Sequence, residues 1–349
     1  MKTVRFGLIG CGKISKKHIT AIKNTQNAEL TAVCDLKKEL AEKTGKENNV
    51  PWFASYKEML EKADIDAVSI ITPSGLHWEP AVDSANAGKH VVVEKPMALT
   101  LKDADKVIAA CKKNNVKLFE VKQNRFNKPI VKLKEAIDSG KFKKFVIATA
   151  RMRWTRKQDY YDAVDWRGTW AMDGGVISNQ ANHHIDLLQW LMGDIESVMC
   201  KTATRLADIE ADDTAVAIIK FSNGALGIIE ATTATRPKDL EGSISVLGEG
   251  GTVIVGGFSA DKLDIWQFED GAYKIDEDFK QNPNVFAYNH AKFFENVVDC
   301  ILHDKKAVID GNEARKSIEL INALYESAAS GREIFLKFEP KHSKLGGGK

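Results

Sequence analysis

Cysteine is scarce in this chain of 349 residues, and its placement argues against two kinds of site. The 5 cysteines are scattered, and no two have the C-x-x-C spacing of a zinc or redox motif. We therefore expect buried, reduced thiols rather than disulfide bonds or zinc ligands. No group of histidine, aspartate and glutamate residues has the spacing of metal ligands either, so the sequence predicts no metal site.

Long apolar runs and an excess of one charge are missing as well. No run approaches the roughly 20 apolar residues that are needed to span a bilayer. The first residues lead into a predicted strand without the pattern of a signal peptide. The net charge of +2 gives no reason to expect a nucleic-acid partner or an anionic membrane surface. The sequence thus favours a cytoplasmic protein.

The first third of the chain alternates short strands rich in valine and isoleucine with amphipathic helices. This alternation predicts βαβ units around a parallel sheet. That is the doubly wound α/β architecture of a Rossmann domain. We place this dinucleotide-binding domain at residues 1–123.

The pattern changes near Asn124, after which strands separated by short turns prevail. We expect a second α/β domain at residues 124–340, with a mostly antiparallel sheet. Two late helices are predicted at about 286–302 and 311–330, both inside this second domain. Residues 341–349 are expected to form a flexible tail.

The stretch FGLIGCGKIS at residues 6–15 carries the first functional motif. It follows a predicted strand and opens a helix, so Gly10 permits the tight turn and Gly12 lets the backbone approach a pyrophosphate. Ser15 replaces the third glycine of G-x-G-x-x-G, at a position that governs packing, and its hydroxyl either caps the helix or meets a phosphate. The residues predicted to bind the cofactor here are Gly10, Gly12, Lys13, Ile14 and Ser15.

Asp35 ends the second predicted strand, about 20 residues after the glycine motif, where an acidic residue holds the ribose hydroxyls of a dinucleotide. A carboxylate there repels a 2′-phosphate, which favours NAD over NADP. Lys37 and Lys38 follow closely and soften this preference. The competing interpretation is that Asp35 only caps the end of its strand.

Three further segments carry a resemblance: TPSGLH at 72–77, EKP at 94–96 and DGGVISNQANHHIDLLQW at 173–190. Together with GCGKIS they resemble the glucose–fructose oxidoreductase/inositol dehydrogenase (Gfo/Idh/MocA) family. The resemblance runs from about residue 3 to 338. It implies an N-terminal Rossmann domain, a C-terminal α/β domain with a large open sheet, and NAD(P)-dependent oxidation of sugars or cyclitols. It also implies a homodimer or homotetramer.

The segment from Arg151 to Trp190 is similar to that of nucleotide-sugar dehydrogenases acting on C3 of UDP-N-acetylglucosaminuronate. Such enzymes begin a route to bacterial surface polysaccharides. The resemblance therefore implies a UDP-linked acidic sugar as the small-molecule substrate. Two alternatives remain open: a dehydrogenase of a free sugar or inositol, and a non-catalytic NAD-sensing regulator.

Lys95 and His183 are the predicted catalytic residues. Lys95 follows a predicted parallel strand at the cofactor edge, where a lysine can relay the hydroxyl proton. The resemblance places the catalytic histidine on His183, with His184 as the structural member of the pair. The competing interpretations are a surface lysine in a salt bridge and a histidine that caps its helix. Asp186 either orients His183 or is a buried structural aspartate.

Other members of the predicted site follow from the same resemblance. Thr72, Pro73, His77 and Glu94, together with Lys95, are expected to contact the cofactor. Asn179 stands where many family members have an aspartate, so a carboxylate–histidine pair is in doubt here. Its amide remains able to hydrogen-bond a sugar hydroxyl.

Arginines and aromatic residues interleave between Arg151 and Trp170. Guanidinium groups bind carboxylates and phosphates in bidentate fashion, and aromatic faces suit sugar and uracil rings. The competing interpretation is an interface between subunits, because the same residue types anchor protein interfaces. The residues predicted to bind substrate are Arg153, Arg156, Trp166, Arg167, Asn179 and His183.

Overall fold

A six-stranded parallel sheet forms from the first third of the chain, in the strand order β3-β2-β1-β4-β5-β6. All residues of the strand Ala67–Ile70 and the three valines at 91–93 are buried, so both faces of these strands are covered, as in parallel sheets flanked by helices. The predicted Rossmann architecture is confirmed. Its strands are β1 Val4–Ile9, β2 Ala28–Cys34, β3 Trp52–Phe53, β4 Ala67–Ile70, β5 His90–Val93 and β6 Leu118–Glu120.

The computed structural model describes residues 2–269, 271, 272, 279 and 285–347, without the side chains of 272 and 285–287. Ten α-helices lie in this part of the chain. They are α1 Ser15–Asn24, α2 Lys38–Asn48, α3 Tyr56–Lys62, α4 Trp78–Asn86, α5 Leu101–Lys113, α6 Lys128–Asp138, α7 Gln158–Asp162, α8 Asn182–Met192, α9 Val285–His303 and α10 Gly311–Ser330.

Amphipathic spacing explains how the helices of the first third of the chain bury one face. In α5 the buried residues Leu101, Ala104 and Val107 recur at a helical period. Thr100 caps the helix, because its side chain accepts the N–H of Asp103 at 3.1 Å.

A second sheet contains nine described strands in the order β14-β13-β12-β11-β7-β10-β9-β8-β15. Only the β7–β10 pair is parallel, so the predicted mostly antiparallel sheet is confirmed. The strands are β7 Phe145–Arg153, β8 Ile195–Ala203, β9 Thr214–Phe221, β10 Leu226–Thr232, β11 Glu241–Gly248, β12 Gly251–Gly256, β13 Lys262–Phe268, β14 Gly271–Ala272 and β15 Ile334–Phe335.

The two faces of this second sheet differ. Along β9, Ala217 and Ile219 are buried, whereas Val216 and Ile218 point to the exposed face. The helix α8 packs against β7 and β11, and nearly all of its residues are buried. The sheet therefore holds α8 on one face and presents apolar side chains on the other.

Contacts divide the chain into two units: Met1–Gln123 with Phe286–Arg315, and Asn124–Val285 with Lys316–Lys349. The division predicted from the sequence also changes domain at residue 124, but it put 286–315 in the second domain. The difference has a packing cause. In α9, Phe294 lies edge-on against Phe6 of β1, with ring centroids 5.6 Å apart.

Two further expectations concern the cysteines and the end of the chain. All five cysteines are free and buried, as predicted. The stretch expected to be a flexible tail is hydrogen-bonded at residues 341–347, and Leu345 is buried. Residues 348 and 349 lie outside the described part. None of the described helices is long and apolar enough to cross a membrane.

Candidate active site

The predicted cofactor residues follow the carboxyl ends of four strands in one sheet. Gly10 follows β1, Asp35 follows β2, Thr72 follows β4, and Glu94 with Lys95 follows β5. Because these strands are parallel, their carboxyl ends lie at the same edge. The strand order reverses between β1 and β4, which is where dinucleotides bind in such sheets.

The glycine turn has the shape that a pyrophosphate requires. Gly10 has φ +105°, and a Cβ there would lie 2.7 Å from the carbonyl oxygen of Ile71, so a larger residue would not fit. A Cβ on Gly12 would meet only open space. The exposed turn leads into α1, whose first turn has no acidic residue. An anionic group therefore fits at the N-terminus of this helix.

Ser15 is buried, and its hydroxyl donates to the carbonyl oxygen of Gly12 at 2.6 Å. This bond closes the turn from the inside. A small polar residue thus satisfies the packing position that glycine usually occupies in the motif.

Asp35 is fixed by two backbone amides. Its Oδ2 accepts the N–H of Cys11 and its Oδ1 accepts the N–H of Lys37, both at 2.8 Å. These bonds cap the end of the strand, as the competing interpretation of Asp35 expects. They also orient the carboxylate and leave lone pairs on both oxygens, which can accept two ribose hydroxyls. The residues of this edge therefore fit NAD.

His77 links two of the loops at this edge. Its ring is buried, with Nδ1 2.7 Å from the carbonyl oxygen of Pro96 and Nε2 2.8 Å from that of Thr72. Burial lowers the pKa of His77, so the ring is neutral near pH 7 and donates to one carbonyl at a time. The contacts described for His77 position the Thr72 loop against the EKP turn.

A buried hydrogen-bond chain supports the backbone of Lys95. Oε2 of Glu94 accepts the N–H of Lys95 at 2.9 Å, and Oε1 lies 3.0 Å from Nε2 of His18. Nδ1 of His18 lies 2.7 Å from the hydroxyl of Ser69. Burial would raise the pKa of Glu94, but the bond to His18 and nearby positive charges outweigh it and hold the pKa low. Glu94 is therefore ionised.

Sequence reasoning missed His18 and Ser69. The available signal was the position of His18 on the apolar face of α1, three residues after Ser15, but a histidine there predicts no particular partner. Among the described residues, His18, Glu94 and His290 also form a group whose ligand atoms lie within 4.8 Å of one another. The hydrogen bond between His18 and Glu94 accounts for two members of this group, and the ring of His290 lies edge-on to that of His18 at a centroid distance of 5.7 Å.

In the second unit, His183 is the second residue of α8 and is half-buried. Its neighbour His184 is buried, with its ring edge-on to Trp154 at a centroid distance of 5.7 Å. Burial lowers the pKa of His184 to about 4, so this ring is neutral. Of the pair, His183 alone has a partly accessible side chain.

Asp186 and Arg125 form a buried ion pair that the sequence did not reveal. The Nε of Arg125 lies 2.9 Å from Oδ2 of Asp186, and its Nη2 lies 2.7 Å from Oδ1. Both side chains are 1% exposed, and the guanidinium also lies over the ring of Trp190. These contacts favour the interpretation of Asp186 as a buried structural residue. They fix α8, and with it the start of the helix that carries His183.

The loop before α8 is held by side chains from within its own unit. Asn179 donates to Asp173 at 2.7 Å, so this amide orients a carboxylate in the position of the family's first glycine. The hydroxyl of Tyr325, on α10, accepts the N–H groups of Gly175 and Ser178 at 2.9 and 3.3 Å.

The predicted substrate arginines differ in their partners. Arg153 makes a bidentate pair with Glu230, at 2.7 Å for both bonds, and lies 3.2 Å from Glu241. Its charge is therefore already matched inside the fold, and the hydrogen bond to Glu230 raises its pKa. This contact weakens Arg153 as a ligand for an anionic substrate.

Arg156 and Arg167 both lie against the ring of Tyr160. Arg167 donates to the carbonyl oxygen of Tyr160 and lies over the Tyr160 ring at 4.2 Å, with Trp166 at 5.6 Å. Arg156 also contacts the Tyr160 ring and lies 3.2 Å from Asp239. Two guanidinium groups thus share one tyrosine ring.

Comparison with known proteins decides the family. The profile described as "Oxidoreductase family, NAD-binding Rossmann fold" matches residues 4–122, and the profile described as "Oxidoreductase family, C-terminal alpha/beta domain" matches residues 134–336. The chain belongs to the Gfo/Idh/MocA family. It is an NAD-dependent oxidoreductase, so the predicted family and cofactor are confirmed.

Two solved structures resemble the chain over nearly all of its length. The WlbA dehydrogenase from Bordetella pertussis, solved with NADH and UDP-GlcNAcA, is 42% identical with a TM-score of 0.89, over 97% of this chain and 100% of that one. The WlbA dehydrogenase from Chromobacterium violaceum, solved with the same ligands, is 39% identical with a TM-score of 0.91, over 97% of each chain.

A curated relative has a different substrate in its name. Myo-inositol 2-dehydrogenase from Thermotoga maritima is 31% identical over 236 residues, which are 65% of this chain and 68% of that protein. Family membership alone therefore leaves the choice among sugar and cyclitol substrates open.

Proposed function

We propose that this protein is an NAD-dependent dehydrogenase that oxidises the C3 hydroxyl of UDP-GlcNAcA or a similar acidic nucleotide sugar. The supporting observation is the similarity of about 40% identity, over nearly the whole chain, to two dehydrogenases whose structures hold NADH and UDP-GlcNAcA. The product is the corresponding 3-keto sugar.

Lys95 and His183 are the proposed catalytic residues. When bound, NAD accepts the hydride from the carbinol carbon. Lys95 and His183 are the two candidates for the base that takes the hydroxyl proton. Glu94 positions Lys95 through the backbone bond described above, and the Arg125–Asp186 pair fixes the helix that carries His183.

Substrate binding is assigned to the segment around Tyr160. Arg156 and Arg167 offer guanidinium groups to the uronate carboxylate or the diphosphate, and the Trp166 ring offers an apolar face. The amide of Asn179 is the proposed hydrogen-bond partner of a sugar hydroxyl. Arg153 retains a secondary role, because its charge is matched by Glu230.

A substrate panel tests the proposal. NADH formation is followed with NAD and, separately, UDP-GlcNAcA, UDP-GlcNAc, myo-inositol or glucose. We expect turnover of UDP-GlcNAcA with the highest kcat/KM of the panel. Turnover of myo-inositol alone would support the alternative function, a cyclitol dehydrogenase, which the similarity to the Thermotoga maritima enzyme favours.

The assembly and the cellular setting are part of the same proposal. We propose a homodimer or homotetramer that uses the exposed face of the nine-stranded sheet, where Met199, Ile218 and Ile228 lie side by side on β8, β9 and β10. We also propose that the enzyme works in the cytoplasm, where its five buried thiols stay reduced, and that it supplies surface-polysaccharide synthesis.

A further inference from the structure

The end of the chain is anchored on a buried carboxylate. Oε2 of Glu326, on α10, accepts the backbone N–H groups of Lys341, His342 and Ser343 at 2.9, 2.8 and 2.9 Å. Oε1 lies 2.6 Å from Nδ1 of His342. Glu326 is only 4% exposed. Burial would raise the pKa of Glu326, but these hydrogen bonds outweigh it and lower the pKa, so the anchor is ionised near pH 7.

Beyond this anchor, the chain lies against the loop that precedes α8. Leu345 is 5% exposed, and its Cδ1 lies 2.8 Å from the position that a Cβ on Gly174 would occupy. The N–H of Gly346 donates to the carbonyl oxygen of Trp170 at 2.9 Å. Residues 341–347, which we call the C-terminal strap, thus contact the loop at two neighbouring points.

The same helix holds the loop and the strap. Tyr325 accepts the N–H groups of Gly175 and Ser178, and its ring lies edge-on to Trp170 at a centroid distance of 5.3 Å. Glu326, the next residue, holds the strap. The loop therefore has one support from α10 and another from the strap.

We propose that the C-terminal strap positions the substrate segment of this enzyme, with Leu345 as its principal positioning residue. The loop it contacts lies between Arg167 and Asn179 and leads directly to His183. A small displacement of such a loop lowers catalytic efficiency strongly, because reacting groups must be held near attack distance. This inference rests on the proposed function, since that proposal gives the segment its role.

The test compares variants of the full enzyme. Leu345→Ala removes the contact with Gly174, Leu345→Met keeps an apolar side chain of similar volume, and Lys344→Ala changes an exposed neighbour as the matched control. We expect Leu345→Ala to lower kcat/KM for UDP-GlcNAcA by about tenfold and to leave the Kd for NADH unchanged. Leu345→Met and Lys344→Ala should keep a kcat/KM and a Kd for NADH close to those of the unchanged enzyme.

Amide hydrogen exchange supplies a readout that needs no substrate. In Leu345→Ala, exchange at Gly174, Gly175 and Ser178 should become faster, while amides of the first sheet keep their rates. A chain that ends at Pro340 should show both effects more strongly. If that chain does not fold, the Leu345 variants still decide whether the strap positions the loop.

Two results would overturn the inference: unchanged exchange in Leu345→Ala, or faster exchange with unchanged kcat/KM. Failure of the proposed function would look different, because the unchanged enzyme would then not turn over UDP-GlcNAcA. In that case kcat/KM of the same variants is measured with the substrate of the panel that is turned over. The same two results would then overturn the inference.

Discussion

At the scale of single residues, the site depends on side chains whose partners lie far away in the sequence. Glu94 contacts His18 across 76 residues, and Arg125 contacts Asp186 across 61. The end of a predicted strand, together with the family resemblance, indicated Lys95 as a candidate, and the resemblance placed the catalytic histidine on His183. The distant partners His18 and Arg125 were not predictable, since no local signal pairs one residue with a distant one.

Replacing Lys95 tests its role as a proton acceptor or hydrogen-bond donor. Lys95→Ala should lower kcat for the nucleotide sugar by about 10³-fold, the usual contribution of a positioned acid–base group. Steady-state kinetics with saturating NAD gives the value. Lys102→Ala, at an exposed lysine of the same unit, is the control and should be neutral. A Lys95→Ala enzyme with nearly full kcat would remove Lys95 from the mechanism.

Asp35 caps the end of its strand in the structure and is also the proposed ribose ligand. Asp35→Ala should weaken NAD binding by about tenfold or more, because charge-assisted hydrogen bonds to the ribose are lost. Calorimetric titration with NAD measures the effect, and thermal unfolding without NAD measures the loss of the cap. Lower thermal stability with unchanged NAD affinity would leave the cap as its only function.

At the scale of elements, periodicity predicted most helices and strands well. The late helices, predicted at about 286–302 and 311–330, are observed at Val285–His303 and Gly311–Ser330. The unit in which each helix packs was not predictable. An amphipathic pattern shows that one face is buried, but it does not show which element covers that face. The C-terminal strap shows the same limit, because its docking depends on Glu326 and Gly174 rather than on its own sequence.

Asp212 packs against the loop before α8 and should make the stability of the protein depend on pH in an unusual way. Asp212 is buried beside Gly175, where an added Cβ would collide with its carboxylate. Burial raises the pKa of Asp212 to about 6, above the value of about 3.9 in an unfolded chain. Between these values the folded state keeps a proton that the unfolded state releases. The contribution of Asp212 to the free energy of unfolding therefore falls as pH rises, by about 3 kcal/mol in all.

Asp212→Asn should remove this dependence of the free energy of unfolding on pH. Relative to the unchanged protein, the variant should gain stability progressively between about pH 4 and pH 6 and keep the gain above that range. Chemical denaturation across this range measures it. Asp213→Asn is an informative control with the opposite sign, because three backbone amides bind Asp213 and its pKa is lowered despite burial. A pH-independent difference for Asp212→Asn would contradict the assignment.

At the scale of the whole molecule, the exposed face of the second sheet is the feature that a monomer leaves unexplained. Ile218 is 59% exposed between Met199 and Ile228 on the neighbouring strands. We expect light scattering to give the mass of a dimer or tetramer. Ile218→Asp should shift it toward the monomer, because a buried unpaired charge is costly.

Leu36→Asp is the matched control for this prediction. Leu36 is 82% exposed and belongs to the first unit, whereas Ile218 belongs to the nine-stranded sheet of the second unit, so the Leu36 substitution should leave the mass unchanged. A monomeric unchanged protein, or an Ile218→Asp variant that keeps the full oligomeric mass, would contradict the proposed interface.

The central claim is hydride transfer from C3 of an acidic nucleotide sugar to NAD. The most direct test uses UDP-GlcNAcA that carries deuterium at C3 and measures the mass of the reduced cofactor. The account predicts that the cofactor acquires the deuterium and that turnover slows relative to the unlabelled sugar wherever hydride transfer limits the rate. Reduced cofactor without deuterium, or no reduced cofactor at all, would contradict it.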